Sequence, residues 1–253
     1  MTAHDLALRN CTALEEFAEC VALQKEVWGF SDAELVPLRI FSLAPKIGGQ
    51  VVGAWDRETL VGYAMAIPGN RYGRPYLHSH MVAVKEGYRN IGLGRKLKLF
   101  QRDDAITLGY ELMEWTFDPL EIKNAFLNIH RLGAIVRSYR VDFYGVSSSR
   151  LQAGLPTDRL LAEWRLDSPR VEAAPESRPT PAPSIEERIQ VPAQIYDWKT
   201  SQAGRERALA VQLENRQKFQ QAFSQGLAVV GFSRDTEGNG VFELGFPTQA
   251  ELD

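Results

Sequence analysis

Residues 78–97 read HSHMVAVKEGYRNIGLGRKL and contain, in order, a strand, a glycine turn and the start of a helix. The apolar run that ends at Val84 predicts a buried strand, and the turn through Gly92 and Gly94 leads directly into a helix. That helix carries Arg95 and Lys96 in its first turn. The first backbone N–H groups of a helix have no internal partner, and the helix dipole adds positive potential at the same end. The segment therefore indicates a site for an anion, above all a phosphate group.

Glycines also occur in such a turn without any ligand. A strand-to-helix turn uses glycine for backbone conformation alone, so the two glycines do not by themselves identify a phosphate site. A Walker loop would need Gly-Lys-Ser/Thr, which is absent, and a dinucleotide fingerprint would need a third glycine where Leu97 stands. The sequence thus argues against these two phosphate loops and leaves a turn of another kind.

Strand and helix signals alternate through the rest of residues 1–167. The predicted strands are 5–9, 50–55, 60–67, 76–84, 111–117, 135–143 and 160–166. The predicted helices are 14–28, 36–46, 93–108 and one that begins with Asp118 as N-cap and ends at Gly133. This order predicts an α/β fold, with a mixed, mostly antiparallel sheet flanked by helices.

The spacing Arg-x-x-Gly-x-Gly after a Val-Ala-Val strand resembles motif A of the GNAT N-acetyltransferase superfamily. Further phrases, such as Trp115–Leu120 and Gly154–Arg159, are similar to those of a bacterial group of GNAT acyltransferases with a C-terminal extension. The resemblance implies the GNAT acyl-CoA N-acyltransferase fold and acetyl-CoA or another acyl-CoA as cosubstrate. It also implies that the turn holds the coenzyme A pyrophosphate and the strand before it holds the pantetheine arm. The implied cofactor-binding residues are Val82, Ala83, Val84, Arg89, Asn90, Ile91, Gly92, Leu93, Gly94, Arg95, Lys96, Asn124 and Asn128.

Acyl transfer to an amine needs a proton acceptor, because an ammonium with a pKa near about 10.4 does not attack a thioester. His78 and His80 lie two residues apart on the strand that leads into the turn and so share a face unless a bulge intervenes. Histidines at this place also resemble those of arylalkylamine-type GNAT enzymes, although a strand histidine can equally be a packed structural residue. Asp118 is a third catalytic candidate that could instead serve only as a helix cap. Glu114, on the same strand face, would act as a base only if buried.

The resemblance also implies a tyrosine that protonates the leaving thiolate, four residues before the glycine that closes its helix. That position is Ile129 here, on the predicted apolar face of the helix. Tyr139 or Tyr144 could replace the phenol, although tyrosines in such a strand region commonly pack. The missing tyrosine keeps open the alternative of a non-catalytic acyl-CoA-binding sensor or scaffold.

A proline-rich stretch divides the chain. Residues 168–184 contain five prolines and predict a partly extended linker between an acyltransferase domain at 1–167 and a C-terminal extension at 185–253. The extension predicts a small α+β unit, with strands at 194–198, 227–232 and 241–246 and a helix at 205–223. A lid, a dimer contact and an acceptor-binding wall all fit its sequence.

The bulk composition excludes several classes of function. A net charge of −3 and a pI of about 5.9 predict no general affinity for nucleic acid or membrane surfaces. No apolar run is long enough for a membrane span, and the N-terminus has no signal-peptide pattern. Cys11 and Cys20 are too few for a disulfide framework and have no zinc-site spacing, which predicts a cytoplasmic protein without a metal. The predicted partner is a small-molecule amine, such as an amino acid; the oligomeric state is open, a homodimer included.

Overall fold

The structure, a computed structural model, describes residues 6–174 and 183–248 of the 253-residue chain. Contacts between residues divide the chain into two compact units. The first comprises Met1–Glu114 and Ser148–Leu151, and the second comprises Trp115–Ser147 and Gln152–Asp253.

The first unit is built on a sheet with the strand order β1-β2-β3-β4-β5. Its first four strands pair antiparallel, and β5 joins β4 in parallel. The strands are β1 (Ala7–Asn10), β2 (Gln50–Asp56), β3 (Thr59–Arg71), β4 (Arg74–Val84) and β5 (Leu112–Phe117), the last of which runs past the boundary of the unit. The helices are α1 (Leu14–Trp28), α2 (Leu38–Leu43), a 3₁₀ turn Ala44–Ile47 and α3 (Leu93–Thr107).

Helices pack against both faces of this sheet because side chains alternate along the strands. On β2, Val51 points to a core formed with α1 and α2, whereas its neighbour Val52 points to a core formed with α3. On β3, Tyr63 and Ala64 divide between the two cores in the same way. The mixed sheet with helices on its faces confirms the predicted fold class.

Asp104 lies on the otherwise apolar side of α3, and a polar contact explains its position. Its carboxylate accepts a hydrogen bond from Gln50 Nε2 at 2.7 Å and another from Asn10 Nδ2 at 3.2 Å. Gln50 is buried and also donates to the carbonyl of Gln101 at 3.0 Å. Asp104 therefore fastens the end of α3 to β1 and β2.

The second unit has its own antiparallel strands in the order β7-β6-β9-β10-β8. These are β6 (Ile135–Arg140), β7 (Arg159–Arg165), β8 (Glu187–Val191), β9 (Ala228–Arg234) and β10 (Gly240–Gly245). The helices are α4 (Ile122–Ala125), which continues as a π-helical segment Phe126–Arg131, then α5 (Pro169–Ala173), α6 (Ile195–Trp198) and α7 (Gln202–Ser224). The strands predicted at 227–232 and 241–246 and the helix predicted at 205–223 are confirmed as β9, β10 and α7.

Two predicted elements of the second unit are wrong. Residues 194–198 are not a strand but the helical turn α6, and the strand that precedes it, β8, was not predicted. The helix predicted to start at Asp118 begins at Ile122, with Glu121 in the cap position. Asp118 instead accepts a hydrogen bond from the amide of Leu120 at 2.8 Å, which closes a turn ahead of the helix.

The first part of the predicted linker forms the short helix α5, Pro169–Ala173. Ser168 caps α5 by accepting a hydrogen bond from the amide of Val171, and Val171 itself is buried. Residues 175–182 lie outside the described part of the chain. The proline-rich stretch falls within the second unit, so the division into 1–167 and 185–253 stays a prediction. In the described ranges, no helix has the length and apolarity to cross a membrane.

Candidate acyl-CoA site

The strand β4 carries both candidate histidines at an irregularity in the sheet. In its register with β3, Ser79 lies opposite Ala66 and Met81 lies opposite Met65, so His80 is the extra residue of a β-bulge. The rings of His78 and His80 have their centroids 6.1 Å apart. The two rings therefore lie near each other, but the bulge that the prediction of a shared face excluded is present, and it sets the direction of His80.

Partial burial keeps both imidazoles neutral near pH 7. Burial is the largest cause that lowers the pKa of His78 to about 4, and the charges of His80, Lys98 and Arg71 lower it further. Burial also lowers the pKa of His80. A neutral imidazole has a lone pair and can accept a proton, which is the state that a general base requires.

Glu114 lies opposite His78 in the parallel pairing of β4 and β5. Its side chain is buried, yet both carboxylate oxygens accept hydrogen bonds from Arg71, at 2.7 and 2.8 Å. The Arg71 guanidinium also lies 5.3 Å from the centre of the Tyr76 ring. Glu114 is therefore held as a carboxylate by a cation, which makes it a poorer proton acceptor than the histidines.

The glycine turn follows β4 with the geometry of an open helix N-terminus. Asn90 and Gly92 both have left-handed backbone angles, with φ of 63° and 86°, and α3 begins at Leu93 with Gly92 in the cap position. The first helical hydrogen bond runs from the amide of Lys96 to the carbonyl of Gly92 at 3.1 Å. A Cβ on Gly92 would meet nothing within 4 Å, so the space beside the turn is open to a ligand.

Hydrogen bonds hold the residues around the turn in place, and basic side chains give this region a positive charge. Arg89 Nε donates to the carbonyl of Val84 at 3.1 Å, and the Tyr88 hydroxyl donates to Asp56 at 2.7 Å. The first turn of α3 contains no acidic residue, whereas Arg95 and Lys96 both lie there, half-buried. The positive end of the helix dipole and these two positive side chains together are suited to a pyrophosphate.

Helix α3 carries a buried lysine that was not predicted from the sequence to take part in the site. Lys98 is 3% exposed, and its ammonium group lies 3.3 Å from Gln101 Oε1 and 3.4 Å from the sulfur of Met113. Burial holds the pKa of Lys98 well below its usual range. Ser79 on β4 donates to the same Gln101 oxygen at 2.9 Å. This hydrogen-bond network joins α3 to β4, the strand that carries the histidines. In the sequence, the network is indicated only by the position of a lysine on the apolar side of the helix.

In the second unit, Asp118 is engaged in an ion pair. Lys199 Nζ lies 3.0 Å from Asp118 Oδ2 and 2.9 Å from Glu121 Oε1, and the lysine is 8% exposed. The two carboxylates raise the pKa of Lys199 against the opposing effect of burial. Asp118 is thus engaged by a buried cation.

The two asparagines predicted to contact the cosubstrate, on the helix after Asp118, differ in their exposure. Asn124 is exposed and Asn128 is buried, and the backbone changes from α- to π-helical between them. Ile129 is 1% exposed, so the position expected for a tyrosine is filled by a core residue.

Of the two tyrosines considered instead, Tyr139 is buried and donates to Asp158 at 2.6 Å. Burial, with that hydrogen bond, raises the pKa of Tyr139. Tyr144 is 45% exposed, and its hydroxyl lies 2.9 Å from that of Thr116. Tyr144 is the more accessible phenol. In the described ranges, no group of three His, Cys, Asp or Glu side chains could hold a metal ion.

Comparisons with known proteins agree with this geometry. Residues 14–127 match the sequence model of the acetyltransferase (GNAT) family. Among solved structures, yncA from Salmonella typhimurium, which was solved with its cofactor acetyl-CoA, aligns with a TM-score of 0.52 at 18% identity over 64% of this chain and 95% of its own. An acetyltransferase of the GNAT family from Streptococcus pneumoniae aligns with a TM-score of 0.50 at 16% identity, over 62% and 98% of the two chains.

The ribosomal-protein-S18-alanine N-acetyltransferase from Escherichia coli also aligns with a TM-score of 0.50, at 12% identity over 64% of this chain and 94% of its own. No protein of curated function matches the sequence. At these identities the structural likeness establishes the fold alone, while the family match lies on the elements that carry the histidines and the turn. The chain therefore has the GNAT fold, and its residues 14–127 match the acetyltransferase (GNAT) family.

Proposed function

We propose that this protein transfers an acyl group from acyl-CoA to the amine of a small molecule, such as an amino acid, with His80 as the proton acceptor. The observation that carries the proposal is the continuity of β4 and α3. One strand presents two neutral imidazoles whose centroids lie 6.1 Å apart, and eight residues after its last residue, Val84, the open glycine turn reaches Gly92, which caps α3. The acyl group is acetyl or larger, such as succinyl.

The cosubstrate contacts follow from the turn. The pyrophosphate binds the amides at the start of α3, where Arg95 and Lys96 add positive charge. The pantetheine arm runs along residues 82–84, whose main chain can hydrogen-bond its amide groups. Asn124 and Asn128 remain predicted contacts of the cosubstrate. A cytoplasmic location belongs to the same proposal, because buried reduced thiols, here Cys11 and Cys20, suit a reducing compartment.

In the chemical step, the neutral amine nitrogen attacks the thioester carbonyl carbon, and the C–S bond breaks as the amide C–N bond forms. Before attack, the substrate ammonium loses one proton to His80, directly or through a water molecule, and becomes the neutral amine. The second proton, which the nitrogen loses as the amide forms, passes to solvent or to the departing thiolate. The coenzyme A thiolate leaves without strong acid assistance, because a thiol pKa near about 8.5 makes it an adequate leaving group. His78, whose pKa is lowered by burial to about 4, is uncharged near pH 7 and so adds no positive charge beside His80.

Release of free thiol from acetyl-CoA and from succinyl-CoA, measured against a panel of small amines and amino acids, tests the proposal. Amine-dependent release with formation of the amide, seen by mass spectrometry, supports it. Tight binding of either thioester without amine-dependent release under any condition contradicts it.

That contrary result would favour a second function, an acyl-CoA-binding sensor or scaffold. The observation in its favour is Ile129, buried where the family resemblance implies a tyrosine acid. Calorimetry with coenzyme A and the two thioesters measures this binding independently of turnover.

A further inference from the structure

A groove in the second unit plays no part in the acyl transfer proposed above. It has a volume of about 760 Å³ and is lined by the π-helical segment Phe126–Arg131, the end of α5 and the strands β9 and β10. Such a volume lies within the range of small-molecule sites. Its polar lining residues are His130, Arg170, Ser233, Arg234 and Glu243.

Glu243 places a carboxylate in this groove. It lies opposite Gly231 in the pairing of β10 with β9, and a Cβ on Gly231 would come within 2.3 Å of Glu243 Oε2. The glycine therefore makes room for the carboxylate across the strand. Ser233 donates a hydrogen bond to Glu243 Oε1 at 2.8 Å and fixes its orientation. Within 6–174 and 183–248, no Lys, Arg or His forms an ion pair with Glu243.

Arg234 contributes a guanidinium to the same groove. Its Cζ lies 5.5 Å from the centre of the Phe126 ring, and His130 stacks on that ring at 4.6 Å. The aromatic ring thus holds the cation by a cation–π contact rather than by a carboxylate. In the described part of the chain, Arg234 forms no ion pair, with Glu243 or with any other acidic side chain.

Apart from Arg170, whose guanidinium donates to the carbonyls of Gly133 and Val230, two opposite charges line the groove, each held in place by a neutral neighbour. We propose that the groove binds a small zwitterion, with its ammonium on Glu243 and its anionic group on Arg234. A molecule with one charge would satisfy only one of these two side chains, whereas a zwitterion pairs both. The carboxylate accepts from an ammonium, and the planar guanidinium donates to a carboxylate in a bidentate manner.

The test uses ω-amino acids as probes, since their charges are separated by a length that can be varied. Calorimetry with glycine, β-alanine, 4-aminobutyrate and 6-aminohexanoate should find one length that binds best. The alkylamine and the alkanoate of the same length should each bind at least tenfold more weakly. Glu243→Gln and Arg234→Gln should each weaken the best probe at least tenfold, since each removes one ion pair and keeps a polar side chain of similar size.

Glu206→Gln and Arg207→Gln, which remove one charge of each sign from exposed positions on α7, serve as matched controls and should bind the probe normally. Saturating coenzyme A, or a Gly92→Val substitution in the other unit, should also leave the probe affinity unchanged, which separates this site from acyl-CoA binding. The proposal is overturned if no member of the series binds at 10 mM or less (about 2.7 kcal/mol). It is equally overturned if the two groove variants bind the probe as the two controls do.

Discussion

Arg71 on β3 binds both carboxylate oxygens of Glu114 on β5, at 2.7 and 2.8 Å, across β4, the strand that carries His78. The carboxylate is 1% exposed while the guanidinium is 45% exposed, so the cation shields a buried anion from the outside. This arrangement leaves the two imidazoles as the uncharged proton acceptors of the strand. It also makes the stability of this part of the sheet dependent on Arg71.

Arg71→Met should destabilise the protein by at least about 2 kcal/mol. Removal of one partner of a buried pair costs about 3–5 kcal/mol, and the partial exposure of Arg71 reduces that figure. Urea unfolding at pH 7 measures the loss. Because the loss of stability arises from a buried carboxylate without its cation, adding Glu114→Gln to Arg71→Met should restore part of the free energy of unfolding. A double variant less stable than Arg71→Met alone would show that the pair is not the cause.

His80→Gln should lower kcat by at least about tenfold, since a general base contributes about 10²–10⁴-fold. Coenzyme A affinity should stay nearly unchanged, because the histidine lies outside the glycine turn. The defect should shrink at high pH, where more of the amine is already neutral. A His80→Gln enzyme with normal turnover from pH 6 to pH 9 would remove the histidine from the mechanism.

The pH profile of the unmodified enzyme gives a separate check on His80. Only the neutral imidazole accepts a proton, so kcat/KM should fall as pH decreases through the pKa of His80. Burial lowers that pKa, and the midpoint of this fall should therefore lie below about pH 6.5, the ordinary histidine value. Protonation of the amine substrate also lowers kcat/KM as pH falls. The pH profile of His80→Gln measures that contribution alone, because this variant should lack the decrease due to protonation of His80. Subtracting it isolates the contribution of the histidine.

His78 should make the protein sensitive to acid. Its pKa in the folded protein is about 4, whereas an unfolded chain has a histidine pKa near about 6.5, so below that pH the unfolded state binds more protons. The free energy of unfolding should decrease as pH falls from about 6.5 toward about 4, with a slope of up to about 1.4 kcal/mol per pH unit. His78→Gln should flatten this slope between those pH values in urea titrations. An unchanged slope would mean that His78 is not buried in its neutral form.

Gly92→Val should weaken coenzyme A binding by more than about 1.4 kcal/mol, or tenfold. A branched side chain would fill the open space beside the turn, where phosphate oxygens must approach. Backbone strain at φ of 86° is a second effect of the same substitution, and Gly109→Val controls for it. Gly109 ends the same helix with φ of 84° and has equally open surroundings, so that variant should lose stability but bind coenzyme A normally.

The sequence predicted the first unit better than the second, for physical reasons. Helix α1 and the strands β2 to β4 have strong apolar periodicity, and the glycine turn has a spacing found at phosphate sites. The residues 194–198 were predicted as a strand because Ile195, Tyr196 and Trp198 favour β-structure, yet their backbone closes a helical turn, with the amide of Trp198 bonded to the carbonyl of Gln194. Ion pairs between distant residues, such as that of Arg71 with Glu114, have no local signal at all.

Lys199→Met should destabilise the protein because it leaves Asp118 and Glu121 without their shared cation. The lysine is 8% exposed, and the loss of one partner from a pair this buried costs about 3–5 kcal/mol. The pKa of Lys199 is raised in the folded protein, so its contribution is fully present below the unfolded value of about 10.4 and is lost only as pH rises through the higher folded pKa. The stability difference between the two proteins should therefore be constant from pH 6 to pH 9.

Asp118→Asn separates the structural role of this carboxylate from a catalytic one. In the Lys199→Met background, Asp118→Asn should recover part of the lost thermal stability, because it removes one of the two carboxylates that are left without a cation. In the unmodified protein, turnover within about threefold of normal, once stability is accounted for, assigns Asp118 to the ion pair. A loss near the 10²–10⁴-fold of a general base would instead return Asp118 to the mechanism in place of His80.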